Sequence, residues 1–253
     1  MLLATDIDGT FLGGELHHRR KLYNLLKNDP SLLLVFVTGR GLENVVTLFN
    51  DDLIPRPNYI ICDVGATVVN GKTLQPVQPL QETIKTYWPG TFNILQHFKN
   101  IEWLQYQQVP QQRRCSFFLK DEAFLENAKT LAAQLNCDAI YSAGKFLDIL
   151  PKGVNKGSTL TSLINHLQIP AEDVLVAGDT MNDLDMYKCG FKSVAVGGSE
   201  EALIKATYDL EKVYHAEAAG AGGIFEAMQF FEEFRVSAEP ALCVASFKPF
   251  QEN

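Results

Sequence analysis

Five short, largely apolar runs, each followed at once by glycine or a polar residue, constrain the fold of this chain more than any other feature. They lie at residues 2–5, 32–37, 59–62, 174–177 and 193–196. Runs that are apolar at nearly every position are typical of strands buried on both faces of a parallel sheet. Between them lie segments with apolar residues at helical spacing, such as Leu22, Leu25 and Leu26. This alternation predicts an α/β fold with a doubly wound parallel sheet.

The alternation is interrupted between residues 81 and 152, where the predicted order becomes helix, two strands, helix, two strands. This order is typical of a separate, smaller α+β module. We therefore predict a core formed by residues 1–80 and 153–253, with residues 81–152 inserted into it. The glycine-rich segment 219–223 is interpreted as a flexible turn, because no strand leads into it with the spacing of a dinucleotide-binding motif. The tail after about residue 235 has weak periodicity and no assigned role.

Composition and charge argue against several classes of protein. The net charge of −8 disfavours a general nucleic-acid surface, and an anionic substrate would need a local cationic pocket. No apolar run approaches the roughly 18 residues of a membrane span, and the N-terminus does not resemble a signal peptide. The five cysteines are scattered and form no CxxC pair. These features predict a cytoplasmic protein with reduced thiols and with no membrane or nucleic-acid partner.

The segment 6–10, with the sequence DIDGT, follows the first apolar run directly and carries two carboxylates. Because side chains alternate along an extended chain, Asp6 and Asp8 point the same way and Ile7 points into the core. Two like charges this close need a cation, and Mg²⁺ prefers grouped carboxylate oxygens. One carboxylate would act as a nucleophile and the other as a general acid and base. The alternative is a solvated Asp-rich turn after an edge strand.

Other segments carry groups near strand ends that could bind a metal ion or a phosphate. Asp179, Asn182 and Asp183 share one helical face, although the same spacing suits a helix cap. Thr38 begins a TGR segment that offers a hydroxyl and backbone N–H groups. Lys156 stands at a helix start, where a cation is unfavourable unless it balances a phosphate and nearby carboxylates. The alternative for this residue is an ordinary exposed lysine.

In doubly wound sheets, polar residues at the carboxyl ends of strands gather in one crevice. The residues that this rule brings together are Asp6, Asp8, Thr38, Asp63 and Asp179. The chain has no P-loop, which disfavours ATP binding of that kind, and no GxSxG segment, which disfavours a serine nucleophile on such a turn. A metal-assisted attack by a carboxylate on phosphorus fits the groups present, with Lys156 and Thr38 on the phosphoryl oxygens.

Four motifs resemble those of haloacid-dehalogenase (HAD) superfamily phosphatases in order and spacing. They are DIDGT at 6–10, TGR at 38–40, KG at 156–157 and GDTMND at 178–183. The insertion resembles the C2-type cap of subtype IIB, and we call residues 81–152 the cap. Segments 144–157 and 221–224 are most similar to sucrose-phosphatase and its relatives that act on other glycosyl phosphates. The resemblance implies a HAD-like Rossmannoid core with a cap that selects the substrate.

The resemblance further implies a Mg²⁺-dependent phosphatase that hydrolyses a sugar phosphate through an aspartyl phosphate. Asp6 would be the nucleophile, and Asp8 would be the general acid and base. The implied metal ligands are Asp6, the backbone carbonyl of Asp8, and Asp179. Asp183 would either bind the Mg²⁺ ion or support its site. The implied phosphate-binding residues are Thr38, Gly39, Lys156 and Asn182. Arg40 would shape the phosphate loop and contact the substrate, and Lys145 and Asp148 would hydrogen-bond sugar hydroxyls.

The short cap leaves room for a substrate of mono- or disaccharide size, such as sucrose 6-phosphate. Two other functions stay open, namely a phosphosugar mutase on the same scaffold and a phospho-accepting module similar to response-regulator receivers. The inserted cap, together with Asp8 as a built-in acid and base, argues against the second of these. The sequence identifies neither the sugar nor the oligomeric state.

Overall fold

The computed structural model describes residues 1–231, which form two β-sheets and the helices that cover them. The strands are β1 (Leu2–Thr5), β2 (Leu33–Val37), β3 (Tyr59–Cys62), β4 (Thr67–Asn70), β5 (Leu104–Tyr106), β6 (Cys115–Leu119), β7 (Cys137–Ser142), β8 (Phe146–Pro151), β9 (Val174–Gly178), β10 (Lys192–Gly197) and β11 (Val213–Ala219). The helices are α1 (Leu16–Asn28), α2 (Leu42–Val46), α3 (Leu80–Thr86), α4 (Thr91–His97), α5 (Leu125–Gln134), α6 (Lys156–Leu167), α7 (Leu184–Tyr187), α8 (Glu201–Thr207) and α9 (Ala221–Phe230). Within these residues, every helix is too short or too polar to span a membrane.

The larger sheet has the strand order β11-β10-β9-β1-β2-β3-β4. Its strands run parallel except for β4, which turns back antiparallel to β3. The first strand of the chain therefore lies in the middle of the sheet, between β2 and β9. This confirms the predicted α/β fold with a doubly wound parallel sheet.

Both faces of this sheet are buried, which explains why its strands are apolar at successive positions. Leu3 and Phe36 face one layer, where they pack with residues of α1 and α9. Ala4 and Val35 face the opposite layer, where they pack with residues of α3, α6 and α7. The alternating direction of side chains along each strand thus supplies two cores from one sheet.

The smaller sheet is antiparallel, has the order β5-β6-β8-β7, and lies within the cap. Its hydrophobic core contains Phe117 and Leu147 from the strands, with Ile94 of α4 and Ala128 of α5. The hairpin predicted around residues 142–145 is present as β7 and β8. The division of the chain into core and cap at residues 81 and 152 stays a prediction about folding units.

Two strands of the larger sheet are not predicted from the sequence. β4 is short, and β11 is a half-exposed edge strand with the sequence VYHAEAA. Most of the segment 219–223 belongs to α9, so the interpretation of that segment as a flexible turn is wrong. Gly220 makes the turn, with φ +55°, and α9 begins at Ala221. Gly223 allows close packing, since a Cβ there would lie 2.6 Å from the carbonyl oxygen of Ala218. The tail after residue 235 lies outside the described residues.

Candidate active site

The candidate active site lies at the carboxyl ends of the central strands. β1 pairs with β2 on one side and with β9 on the other, so Asp6, Thr38 and Asp179 follow three neighbouring strands. The start of α6 brings Lys156 to the same edge. Parallel strands end together, and this accounts for the convergence of residues that are far apart in sequence.

Lys156 is the centre of the hydrogen bonds at this edge. Its Nζ donates to Oδ1 of Asp6 and Oδ1 of Asp183, both at 2.7 Å, and to Oδ1 of Asn182 at 2.8 Å. The side chain is fully buried. Burial opposes its charge, but the two carboxylates raise the pKa of Lys156 above its ordinary value. The alternative of an exposed lysine is therefore wrong.

Three carboxylates surround this single cation. The groups of Asp6, Asp179 and Asp183 each offer an oxygen within 4.8 Å of the others. Burial raises the pKa of Asp6 to about 7, with Lys156 opposing the shift and the other two carboxylates adding to it. Burial also raises the pKa of Asp179 to about 6, against a hydrogen bond from Thr10. The protein thus supplies too little positive charge for this cluster, and a hard divalent cation fits the oxygen donors.

The three carboxylates differ in how many of their oxygens are already used. Oδ1 of Asp183 accepts from Lys156, while its Oδ2 accepts the backbone N–H groups of Asp179 and Thr180, each at 3.0 Å. Oδ1 of Asp179 accepts from the Thr10 hydroxyl, and its Oδ2 has no donor among the described residues. The free oxygens therefore belong to Asp6 and Asp179, whereas Asp183 is placed to hold the turn that follows β9.

Asp8 lies on the turn after Asp6, and both residues line the same cavity. Its side chain is 61% exposed and is held by Arg40, whose Nε and Nη2 donate to the two carboxylate oxygens at 2.8 and 2.6 Å. This bidentate arrangement is the strongest geometry for such a pair. The hydrogen bonds to Asp8 raise the pKa of Arg40. Ile7 is fully buried in the core, as the alternation predicts.

Residues 38–40, which we call the phosphate loop, connect β2 to α2. The N–H of Arg40 donates to Oγ1 of Thr38 at 3.1 Å. The N–H of Gly39 has no acceptor among the described residues. A Cβ on Gly39 would lie 3.8 Å from Nδ2 of Asn182, so the Gly39 backbone and this amide lie close together at the cavity wall. They form a place where phosphoryl oxygens can accept hydrogen bonds.

A cavity of about 340 Å³ lies between the phosphate loop and the cap. From the cap, Gln107, Phe146 and Asp148 contribute to its wall. Of the two cap residues predicted to bind sugar, Asp148 lines the cavity, but its Oδ1 accepts from the Ser116 hydroxyl and lies 3.4 Å from Nη1 of Arg114. Lys145 is exposed and does not line the cavity, and its ammonium lies 4.9 Å from the centre of the Phe146 ring. Their roles stay predictions.

Asp63 does not join the site, which corrects the expectation from the strand-end rule. Its backbone has φ +54°, which turns the residue inward, and the side chain is fully buried. Oδ2 accepts from the Thr67 hydroxyl at 2.8 Å, and Oδ1 lies 3.5 Å from Nε of Arg114. Burial raises the pKa of Asp63, although Arg114 opposes the shift.

Two residues near the site are missed by sequence reasoning. Arg114 reaches from the cap to the phosphate loop, and a pair of adjacent arginines in an acidic chain is the signal that points to it. Glu200 accepts the backbone N–H of Met181 at 2.7 Å and so supports the turn after β9. Its position before α8 offers no comparable signal.

Comparison with known proteins identifies the family. The family described as sucrose-6F-phosphate phosphohydrolase matches residues 1–232. The glucosylglycerol-phosphate synthase of Pseudomonas anguilliseptica is 49% identical over 232 residues, which are 91% of this chain and 31% of that protein. The mannosylfructose-phosphate phosphatase of Agrobacterium fabrum is 30% identical over 242 residues, 90% of this chain and 95% of that protein.

The structure of the sucrose-phosphatase from Synechocystis in complex with sucrose and phosphate is similar throughout. The TM-score is 0.81 at 25% identity, and the match covers 92% of this chain and 98% of that one. The chain spans less than a third of the length of the Pseudomonas synthase that it resembles. Because this family matches every described residue, this chain belongs to the sucrose-6F-phosphate phosphohydrolase family, and its fold is that of the haloacid-dehalogenase-like hydrolases.

Proposed function

We propose that this chain is a Mg²⁺-dependent phosphatase that hydrolyses a glycosyl phosphate through an aspartyl phosphate on Asp6. One observation carries the proposal. The Asp6 carboxylate is buried, lines the cavity, lies 2.7 Å from the Lys156 ammonium and belongs to a cluster of three carboxylates. Phosphoryl transfer needs a nucleophile, a fixed cation and oxygens that can hold a metal ion. The last are the oxygens of Asp6 and Asp179 that accept no hydrogen bond from the described residues.

In the first step, an oxygen of Asp6 bonds to phosphorus as the bond between phosphorus and the sugar oxygen breaks. Protonated Asp8 gives its proton to the leaving oxygen. In the second step, water attacks phosphorus, Asp8 takes a proton from it, and the bond to Asp6 breaks to release inorganic phosphate. Arg40 donates to both oxygens of the Asp8 carboxylate and thereby fixes it at the cavity. When Asp8 carries the proton, one of these two bonds gives way so that its O–H can face the leaving oxygen.

The phosphoryl group would be bound by neutral donors backed by one cation. All three N–H bonds of Lys156 are used, and one of them fixes Oδ1 of Asn182. The amide therefore directs Nδ2 away from the lysine, where it is free to donate to a phosphoryl oxygen together with the N–H of Gly39. The Thr38 hydroxyl is the third donor. The positive charge of Lys156 would attract the phosphoryl oxygens as charge redistributes over them during transfer.

Asp6, Asp179 and the backbone carbonyl of Asp8 would hold Mg²⁺, and Asp183 would anchor the turn that carries Asp179. When bound, the ion would neutralise the carboxylates and polarise the phosphoryl group.

The cavity wall favours an uncharged leaving group. Its charged side chains are paired, Arg40 with Asp8 and Arg114 with Asp148. The groups that remain for a substrate are uncharged, and they include the amide of Asn44 and the side-chain carbonyl oxygen of Gln107, whose Nε2 donates to the carbonyl of Phe117. Such groups suit the hydroxyls of a neutral glycoside. Among the named relatives, the one that shares most identity is a glucosylglycerol-phosphate synthase, so glucosylglycerol phosphate is the leading candidate, ahead of mannosylfructose phosphate and sucrose 6-phosphate.

Phosphate release across these three esters, with and without Mg²⁺, tests the proposal. We expect one ester to be hydrolysed well above glucose and mannose phosphates, and we expect chelation of Mg²⁺ to stop turnover. Asp6→Asn should abolish hydrolysis of every ester and prevent formation of an acid-stable phosphoenzyme. Turnover by Asp6→Asn at a substantial fraction of the wild-type rate would refute the nucleophile assignment.

A further inference from the structure

The three backbone carbonyls of the phosphate loop are all held by donors from outside it. The carbonyls of Thr38 and Arg40 accept backbone N–H groups from the core turn at 63–64, at 3.1 and 2.9 Å. The carbonyl of Gly39 accepts instead from Nη1 of Arg114, at 2.6 Å. Within residues 1–231, no other cap side chain bonds to the backbone of this loop. Arg114 thus makes the contact through which the cap reaches the phosphate loop.

Arg114 is buried between two carboxylates, one from each part of the molecule. Its side chain is 7% exposed, its Nε lies 3.5 Å from Asp63 of the core, and its Nη1 lies 3.4 Å from Asp148 of the cap. Nε of Arg114 and Oδ1 of Asp63 make no regular hydrogen bond. The carboxylates therefore hold the guanidinium mainly by charge, and its one short, directed bond goes to Gly39.

This bond fixes more than one atom, because the Gly39 carbonyl and the Arg40 N–H belong to one planar peptide unit. That N–H donates to Oγ1 of Thr38, and the Arg40 side chain continues to Asp8. We propose that Arg114 is a positioning residue for phosphoryl transfer, which orients the Gly39–Arg40 peptide and so sets where Arg40 holds Asp8. This inference rests on the proposed function, in which Asp8 is the acid and base.

The neighbouring residue provides a matched control. Arg113 also reaches from the cap to the core, where it donates to the carbonyl of Ala66 at 3.0 Å and to the Thr67 hydroxyl at 2.9 Å. Its hydrogen bonds among the described residues go to Ala66, Thr67 and Gln112, and none goes to the phosphate loop. Arg113→Lys therefore weakens the junction of cap and core without touching the peptide that Arg114 holds.

Arg114→Lys is the informative variant, because it keeps a positive charge between the carboxylates but loses the planar fork of donors. Both variants would be compared with the wild-type chain on its best sugar phosphate and on p-nitrophenyl phosphate, whose leaving group needs no proton. For Arg114→Lys we expect kcat on the sugar phosphate to fall about 10-fold or more at unchanged KM.

On p-nitrophenyl phosphate, the first step of Arg114→Lys should survive while hydrolysis of the aspartyl phosphate slows. Rapid mixing should then show a burst of about one nitrophenolate per active site, the signature of an accumulating covalent intermediate. Arg113→Lys should show neither effect, and the urea midpoints of the two variants should agree.

Two results would overturn the proposal. A raised KM for the sugar phosphate at unchanged kcat would mean that Arg114 contacts the substrate itself. Equal losses on both substrates without a burst, together with a lowered urea midpoint, would mean that its role is structural. If the wild-type chain hydrolyses no sugar phosphate, the proposed function fails, while the burst with p-nitrophenyl phosphate still decides the role of Arg114.

Discussion

The ammonium of Lys156 lies 2.7 Å from a carboxylate oxygen of Asp6, although 150 residues of sequence separate the two. Both side chains are buried, and the same ammonium also binds Asp183. The contact joins the end of the first strand to the first residue of a helix that begins only after the cap. It is therefore a tertiary contact between distant segments, and we expect both stability and the proposed chemistry to depend on it.

Replacement of Lys156 should destabilise the chain strongly. Lys156→Met leaves the Asp6 and Asp183 carboxylates buried without their cation, and breaking such a pair costs about 3–5 kcal/mol. Urea unfolding at pH 8 without Mg²⁺ would measure the loss. Lys205→Met is the control, because the Lys205–Glu201 pair is exposed and its removal should leave the midpoint nearly unchanged. A wild-type midpoint for Lys156→Met would contradict the expectation.

Mg²⁺ should bind more tightly as the pH rises from 6 to 8. The pKa of Asp6 is raised to about 7 and that of Asp179 to about 6, so at lower pH the ion must displace protons from them. Each displaced proton weakens binding by a factor of about 10 per pH unit below the relevant pKa. Isothermal titration calorimetry at three pH values would show the trend. Asp179→Asn should weaken binding throughout, and an affinity that does not change with pH would count against the assigned ligands.

Glu200 should affect Mg²⁺ binding and catalysis, because it supports the turn that carries Asp179. Its Oε2 accepts the N–H of Met181 at 2.7 Å, and its own N–H donates to the carbonyl of Asp179 at 2.8 Å. Glu200→Ala should lower Mg²⁺ affinity or kcat by about 10- to 100-fold, as is usual for groups that orient metal ligands. Glu200→Gln retains an acceptor and should recover most of the loss. Glu201→Ala serves as the control, and equal behaviour of all three variants would dismiss this role.

Phe146 should contribute to binding of the sugar part of the substrate and leave binding of the phosphoryl group unchanged. It lines the cavity from the cap and packs against Phe118, with ring centres 5.6 Å apart. Phe146→Ala should raise KM for the sugar phosphate by about 10-fold, equivalent to about 1.4 kcal/mol of lost contact. Inhibition by inorganic phosphate should stay at the wild-type level. The exposed Phe92, substituted in the same way, is the control; a parallel loss of phosphate inhibition would show that the site itself is disturbed.

The motifs at strand ends could be predicted because local sequence determines them. An apolar strand followed by a carboxylate or hydroxyl places that group at one edge of the sheet, as Asp6, Thr38 and Asp179 show. β11 could not be predicted in this way, because an edge strand that is half exposed lacks the continuous apolar pattern. Asp63 also follows a strand but turns inward, since a positive φ and a buried partner override the rule.

The contacts between cap and core could not be predicted for a different reason. Arg114 and Arg113 are adjacent and chemically identical, yet only Arg114 reaches the phosphate loop. Which of the two does so depends on how two sheets from distant parts of the chain are placed against each other. Lys145 illustrates the opposite outcome, since its position in a hairpin near the site does not bring its ammonium to the cavity wall.

The central position of β1 has a consequence for biosynthesis. One of its two neighbours, β9, begins at Val174, so a ribosome must translate the entire cap before the second edge of β1 is paired. Until then, the emerging polypeptide presents the unpaired backbone edge of a strand that is fully buried in the folded protein, and such an edge promotes aggregation. An early-folding cap would shorten the loop that joins the two halves of the larger sheet, so the stability of the cap alone would affect the yield of folded protein.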